Sequence, residues 1–90
     1  MNFEWDDNKA RVNLSKHRIS FDLSRLVFDD PNKVDDIDDN LDFGEERWIA
    51  TGLAGNQLLV VVYVLRREKI RIISARRATK YEEQDYYQQT

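Results

Sequence analysis

Apolar positions follow a helical period at the two ends of the chain and a strand period in the middle. Ala10, Asn13, Leu14 and His17 are three or four residues apart, the spacing of one helix face. Asp6 or Asp7 can cap this helix, which is expected to end near His17. Leu23, Leu26 and Val27 make a second helical stripe behind Ser20, a capping residue, and Pro31 stops that helix just after Asp30. Three runs then read as strands: Arg47 to Leu53, Leu58 to Leu65, and Lys69 to Ala75. Leu58 to Leu65 is apolar at both parities, as in a central strand covered on both faces. Gly55-Asn56 and Arg66 to Glu68 are short links, so an antiparallel meander is the economical topology. Thr79-Lys80-Tyr81-Glu82 matches a capping box and opens a last helix carrying Tyr81, Tyr86 and Tyr87. Residues 29–42 carry seven aspartates interleaved with Val34, Ile37 and Leu41. They read as a short exposed edge strand, because aspartate forms strands poorly but blocks edges well. The expected fold is a single α+β domain over residues 1–90. It has two N-terminal helices, an antiparallel sheet of about four strands and a C-terminal helix.

Composition narrows the chemistry. With no cysteine and one histidine, neither a disulfide framework nor a thiolate or multi-histidine metal site can form. The first ten residues are polar and charged, unlike a signal peptide. The longest apolar run, Leu58 to Leu65, is too short to span a bilayer. A cytoplasmic protein without membrane contact or cofactor is expected. The net charge of −3 argues against a generic nucleic-acid binder, but its distribution is uneven. Residues 1–45 hold 6 Lys or Arg against 12 Asp or Glu, whereas residues 46–90 hold 8 against 5. Seven of the fifteen residues from Arg66 to Lys80 are cationic. Charges beyond roughly 8 Å are screened at physiological salt, so such a stripe can grip phosphates on an acidic protein.

No phosphate loop, dinucleotide fingerprint, zinc-protease motif or nucleophile elbow is present. The acidic segment lacks the Gly and Glu positions of an EF-hand loop; a solvated edge is the heavier reading, with contact to a basic partner as another. RNA can be cut without a metal, because its own 2′-hydroxyl can attack the adjacent phosphate. The step needs a base, an acid and cations that hold the extra charge. Arginine suits the last task through its planar fork. Strict alternation from Lys69 to Arg77 puts Ile70, Ile72, Ser74 and Arg76 on one face and Lys69, Arg71, Ile73, Ala75 and Arg77 on the other. His17 fits both a proton-transfer role and an ordinary helix C-terminus. Tyr63, Trp5 and Trp48 read first as core residues, although an exposed Trp48 could stack on a base.

Taken in order, several pieces resemble the BrnT-type ribonuclease toxins of bacterial toxin–antitoxin systems. They are Phe3-Glu4-Trp5-Asp6, Asn13, Lys16-His17, Phe21, Val27-Phe28-Asp29-Asp30-Pro31, Gly44-Glu45-Glu46-Arg47, Leu59 to Tyr63, Arg71 to Arg76, Ala78-Thr79, Glu83 and Tyr87. The resemblance implies a RelE-like fold and metal-independent endoribonuclease action that arrests translation. It also implies a BrnA-type ribbon-helix-helix antitoxin as partner, with DNA contacted only through that antitoxin. Arg76, His17, Lys16 and Arg66 are the catalytic candidates. Arg47, Arg67, Arg71, Arg77, Lys80 and Trp48 are the RNA-binding candidates, and no metal ligand is expected. The alternative is an inactive partner-binding or nucleic-acid-binding module of the same fold. Many of these toxins have Gly after the Lys-His pair; Arg18 stands there in this chain, so its turn is either strained or differently shaped.

Overall fold

The computed structural model describes residues 2–39 and 45–89. Leu41, Asp42 and Gly44 of the segments singled out above lie outside the described residues. The order is β1 (Asn2–Glu4), α1 (Asp7–His17), α2 (Phe21–Ser24), a 3₁₀ turn (Arg25–Asp29), β2 (Val34–Asp38), β3 (Arg47–Ala54), β4 (Gln57–Arg66), β5 (Lys69–Arg77) and α3 (Lys80–Gln88). The strands form one sheet in the order β1-β5-β4-β3-β2. The α+β class and the β3-β4-β5 meander are as expected, and β2 is an edge strand. The sheet has one strand more than expected: β1 lies parallel to β5, with Phe3 opposite Ile70, making the sheet mixed. Three residues contain too little alternation to mark a strand, and this pairing spans most of the chain. No helix among the described residues is long and apolar enough to cross a membrane.

Local chemistry sets the element ends. Asp6 accepts from the Lys9 N–H, Ser20 from the Leu23 N–H, and Thr79 and Glu82 complete the capping box of α3. Gly55 turns between β3 and β4 at φ 64°, a conformation that costs glycine little. The second helical stripe needs correction. After one α turn the chain tightens into the 3₁₀ turn, so the buried positions become Phe21, Ser24 and Val27, three apart. Leu26 is turned outward. Buried Ser24 donates to the Ser20 carbonyl, which satisfies its hydroxyl.

The core lies on one face of the sheet. Ala50 and Ala54 of β3, Leu59, Val61 and Tyr63 of β4, and Ile70, Ile72 and Ala75 of β5 pack against Ile19, Phe21 and Val27. Phe3, Trp5, Ala10, Leu23, Phe28 and Trp48 close the margins. The 3₁₀ turn approaches β3 at Gly52, where an added Cβ would stand 3.0 Å from Val27 Cγ1. Side-chain absence at Gly52 therefore sets the spacing of these two layers. Tyr63 is buried in the core and its hydroxyl donates to Asp35, while the two tryptophans are half-buried and pack against the core's margin.

Candidate nucleic-acid interface

The opposite face of the sheet carries the arginines, and a β-bulge puts them there. Pairing of β4 with β5 runs Val64↔Arg71 and Tyr63↔Ile72, then skips Ile73 and resumes at Val62↔Ser74 and Val60↔Arg76. One extra residue reverses the parity of everything beyond it. Strict alternation would place Arg76 with Ile70 and Ile72 in the core layer. The bulge instead places Ser74 and Arg76 on the face of Arg71, with Val60, Val62 and Val64 beneath. Arg47 and Arg66 share this face by regular alternation along β3 and β4. The expected grouping of Ile70, Ile72, Ser74 and Arg76 is thus corrected at its last two members.

Rows across this face define its layout. Val34, Thr51, Val60 and Arg76 form one row, and Asp36, Ile49, Val62 and Ser74 the next. Beyond them stand Arg47 opposite Asp38, and Arg71 between Val64 and Glu4. Arg66 opposite Lys69 ends the series. Arg71 and Arg76 face β4 positions four residues apart, roughly 13 Å along the strand.

Two carboxylates sit among the cations. Arg66 meets Glu45 at 2.8 Å, and Arg71 meets Glu4 at 3.0 Å with Lys69 at 3.8 Å. The hydrogen bond from Arg66 holds the Glu45 carboxyl below its ordinary pKa, with the charges of Arg71 and Arg47 adding to it. Glu45 is therefore held ionised against three arginines. Arg66 is in turn pushed up, chiefly by its hydrogen bond to Glu45. The Arg66–Glu45 pair is exposed, with side chains 50% and 42% accessible. Such an exposed pair contributes little to stability, so an incoming anion can displace the carboxylate at little cost.

Arg76 is held more firmly. Its two terminal nitrogens donate to both oxygens of Glu82, at 2.7 and 2.9 Å. That hydrogen bonding, helped by the Thr79 N–H, brings the Glu82 pKa down to about 2. A second tie fixes the far end of α3: the Tyr86 hydroxyl donates to Asp30, which also accepts from the Leu53 N–H. Burial pulls the Asp30 carboxyl upward, but these hydrogen bonds and that of the Asn32 N–H outweigh it and leave it lowered. Burial, followed by the bond to Asp30, pushes Tyr86 up to about 12. Through these ties α3 covers the β2–β3 end of the arginine face.

The remaining candidates lie elsewhere. Lys16 and His17 end α1, which packs along β5 in the layer that also carries the core. Among the described residues no hydrogen bond or ion pair joins them to the arginine face. Arg67 is in the β4–β5 turn at φ 58°. Arg77, past the bulge, belongs to the core-side parity and donates to Gln57. Lys80 is exposed on α3. Trp48 packs at the edge of the core and so faces away from Arg47. Glu4 and Glu45 were not among the candidates, although both occur in the motifs Phe3-Glu4-Trp5-Asp6 and Gly44-Glu45-Glu46-Arg47. Their association with Arg66 and Arg71 depends on strand pairing and on segment 45–47 reaching the sheet.

Fold and face together define a small α+β domain with a cationic sheet surface. The family model for the ribonuclease toxin BrnT of type II toxin–antitoxin systems matches residues 5–82. The chain belongs to that family: it is a ribonuclease toxin of a toxin–antitoxin system, whose counterpart is an antitoxin. No curated protein matches it.

Proposed function

We propose that this toxin is a metal-independent endoribonuclease whose RNA lies across the arginine face, and that cutting arrests translation. The observation that carries this reading is the placement of Arg47, Arg66 and Arg71 on one face of the sheet, with Glu45 hydrogen-bonded to Arg66. A phosphate held by these guanidinium groups meets donors that strengthen as the pentacoordinate transition state gains charge. Glu45, ionised at neutral pH, takes the 2′-hydroxyl proton. The 2′-oxygen bonds to phosphorus, the bond to the 5′-oxygen breaks, and that oxygen is protonated by water or a side chain. The products are a 2′,3′-cyclic phosphate and a free 5′-hydroxyl. Arg76 borders the strand path while clamped by Glu82; Lys16 and His17 take no assigned step.

The biological setting follows the same reading. A BrnA-type ribbon-helix-helix antitoxin neutralises the toxin in the cytoplasm, and DNA is met only through that partner. The test is incubation of purified protein with RNA in EDTA, beside Arg66→Ala, Arg71→Ala and the distant Arg11→Ala. The expected result is cleavage by the native chain and Arg11→Ala, with losses of about 10²-fold or more at Arg66 and Arg71. A second reading, a partner-binding module without cleavage, draws support from the carboxylate already paired with each of Arg66, Arg71 and Arg76. Tight antitoxin binding with RNA left intact would establish it.

A further inference from the structure

Beside the arginine row, where α3 overhangs β2 and β3, lies a recess of about 200 Å³. Its floor is Val34, Ile49 and Thr51; Tyr81, Tyr86 and Glu82 rise from α3, and Asp36, Asp85 and Gln89 stand around it. We propose that this recess is the base subsite of the enzyme and that it takes guanine. The inference rests on the ribonuclease reading above and names which nucleotide that site accepts.

Position is the first argument. Ile49 and Arg47 are two residues apart on the same face of β3, about 7 Å. Glu82 in the recess wall is the partner of Arg76. A base seated in the recess therefore lies one strand step from the arginine cluster and beside Arg76, as a nucleotide of the bound strand would. Size is the second. Pockets for whole drug-sized ligands run to roughly 300–1,000 Å³, so 200 Å³ suits one planar ring system and not a full nucleotide.

The lining chemistry selects the base. Val34 and Ile49 offer an apolar floor for a ring face, and Tyr81, largely exposed, offers an aromatic platform above it. Glu82 is occupied by Arg76 and the Thr79 N–H. Asp36 and Asp85 make no hydrogen bond or ion pair among the described residues, which leaves two acceptor groups at the opening. These carboxylates repel phosphate, so they admit the base end of a nucleotide. On its pairing edge guanine presents two adjacent donors, a ring N–H and an amino group, that match both oxygens of one carboxylate. Adenine, cytosine and uracil each place an acceptor beside their donor, which would face a carboxylate oxygen. Asp36 and Asp85 are solvent-exposed, so a mismatched base forgoes a pair of charge-assisted hydrogen bonds without leaving a buried group unpaired, a difference of about tenfold. A cationic side chain from a protein partner would also meet Asp36 and Asp85 but would not use the apolar floor of Val34 and Ile49, and the binding test below separates the two.

The experiment maps cut sites of the native chain on a random-sequence RNA and repeats the map with Asp36→Asn and Asp85→Asn. The expected result is guanine at one fixed position relative to the cut, favoured at least tenfold. In at least one variant that preference should fall to within about threefold. Cleavage with no base preference, or a guanine preference unchanged in both variants, would overturn the subsite while leaving the nuclease reading standing. Absence of cleavage would instead defeat the nuclease reading, and the recess is then judged by binding alone. Guanosine 5′-monophosphate should shift the backbone amides of Ile49 and Thr51 at least tenfold more tightly than the other three nucleotides. Equal affinities, or shifts produced only by a lysine-rich peptide, would overturn the proposal.

Discussion

Asn13 serves as a strand partner for Ala75. Its side-chain Nδ2 donates to the Ala75 carbonyl at 2.8 Å, and its Oδ1 accepts from the Ala75 N–H at 3.1 Å. The same Nδ2 donates to the Ile19 carbonyl at 3.0 Å. β1 pairs with β5 only from Lys69 to Arg71, so the outer edge of β5 beyond it lacks a backbone neighbour. The amide of Asn13 has the donor and acceptor of a peptide group and supplies what a continued strand would. Asn13→Ala is expected to cost about 2–4 kcal/mol, since it leaves buried backbone groups unpaired. Asn13→Asp is expected to cost at least as much, because a carboxylate would face two carbonyl oxygens. Urea titrations followed by tryptophan fluorescence check both; a loss under 1 kcal/mol would show that water replaces the amide.

Arg18 resolves the question raised by the missing glycine. It ends α1 in the left-handed region, at φ 62° and ψ 25°, and its N–H donates to the Leu14 carbonyl. The turn keeps the shape that glycine favours and bears a side chain there at a steric cost. Arg18→Gly is expected to raise stability by about 0.5–1 kcal/mol, read as a higher urea midpoint at unchanged slope.

The attachment of α3 should depend on pH at both extremes. Glu82 titrates near 2 in the folded chain, below its ordinary 4.5. Its stabilisation is therefore complete above about 4.5 and is lost as the pH falls toward 2. With the Arg76 and Glu82 side chains still 42% and 30% exposed, that loss is on the order of 1–2 kcal/mol after screening. Tyr86 is raised from 10 to about 12. Its contribution is present below pH 10 and disappears as the pH rises through 12. Protection of the α3 amides, corrected for intrinsic exchange, should fall at both ends, and Glu82→Gln should reduce the acid limb, to which Asp30 also contributes, while leaving the alkaline limb.

Glu45 separates two chemical roles. If it takes the 2′ proton, Glu45→Gln lowers kcat by about 10²–10⁴-fold while KM falls, because a competitor for Arg66 has been neutralised. If it only occupies Arg66, the same change raises cleavage. Single-turnover kinetics on a short RNA distinguish the two outcomes.

Much of the fold is legible locally. The capping box at Thr79 and Glu82, the turn at Gly55, the doubly apolar β4 and the blunted acidic edge at Val34–Asp38 are short-range patterns, and each appears where its pattern places it. The α2 region is also marked locally, except that tightening to a 3₁₀ turn changes which side chains are buried. The cationic stripe likewise identifies Arg66, Arg71 and Arg76 without a structure, but not which of them share a surface.

By itself, then, the order of residues determined the element types, the caps and the supply of phosphate-binding side chains, because these follow from periods and contacts within a few positions. Tertiary structure alone decided the parallel pairing of β1, the bulge at Ile73 that puts Arg76 on the face of Arg71, and the pairing of Glu4 with Arg71 and of Glu45 with Arg66. A skipped residue in a strand ladder leaves no mark on hydrophobic alternation until its partner strand is in place. Charges brought together from opposite ends of a chain have no spacing to read.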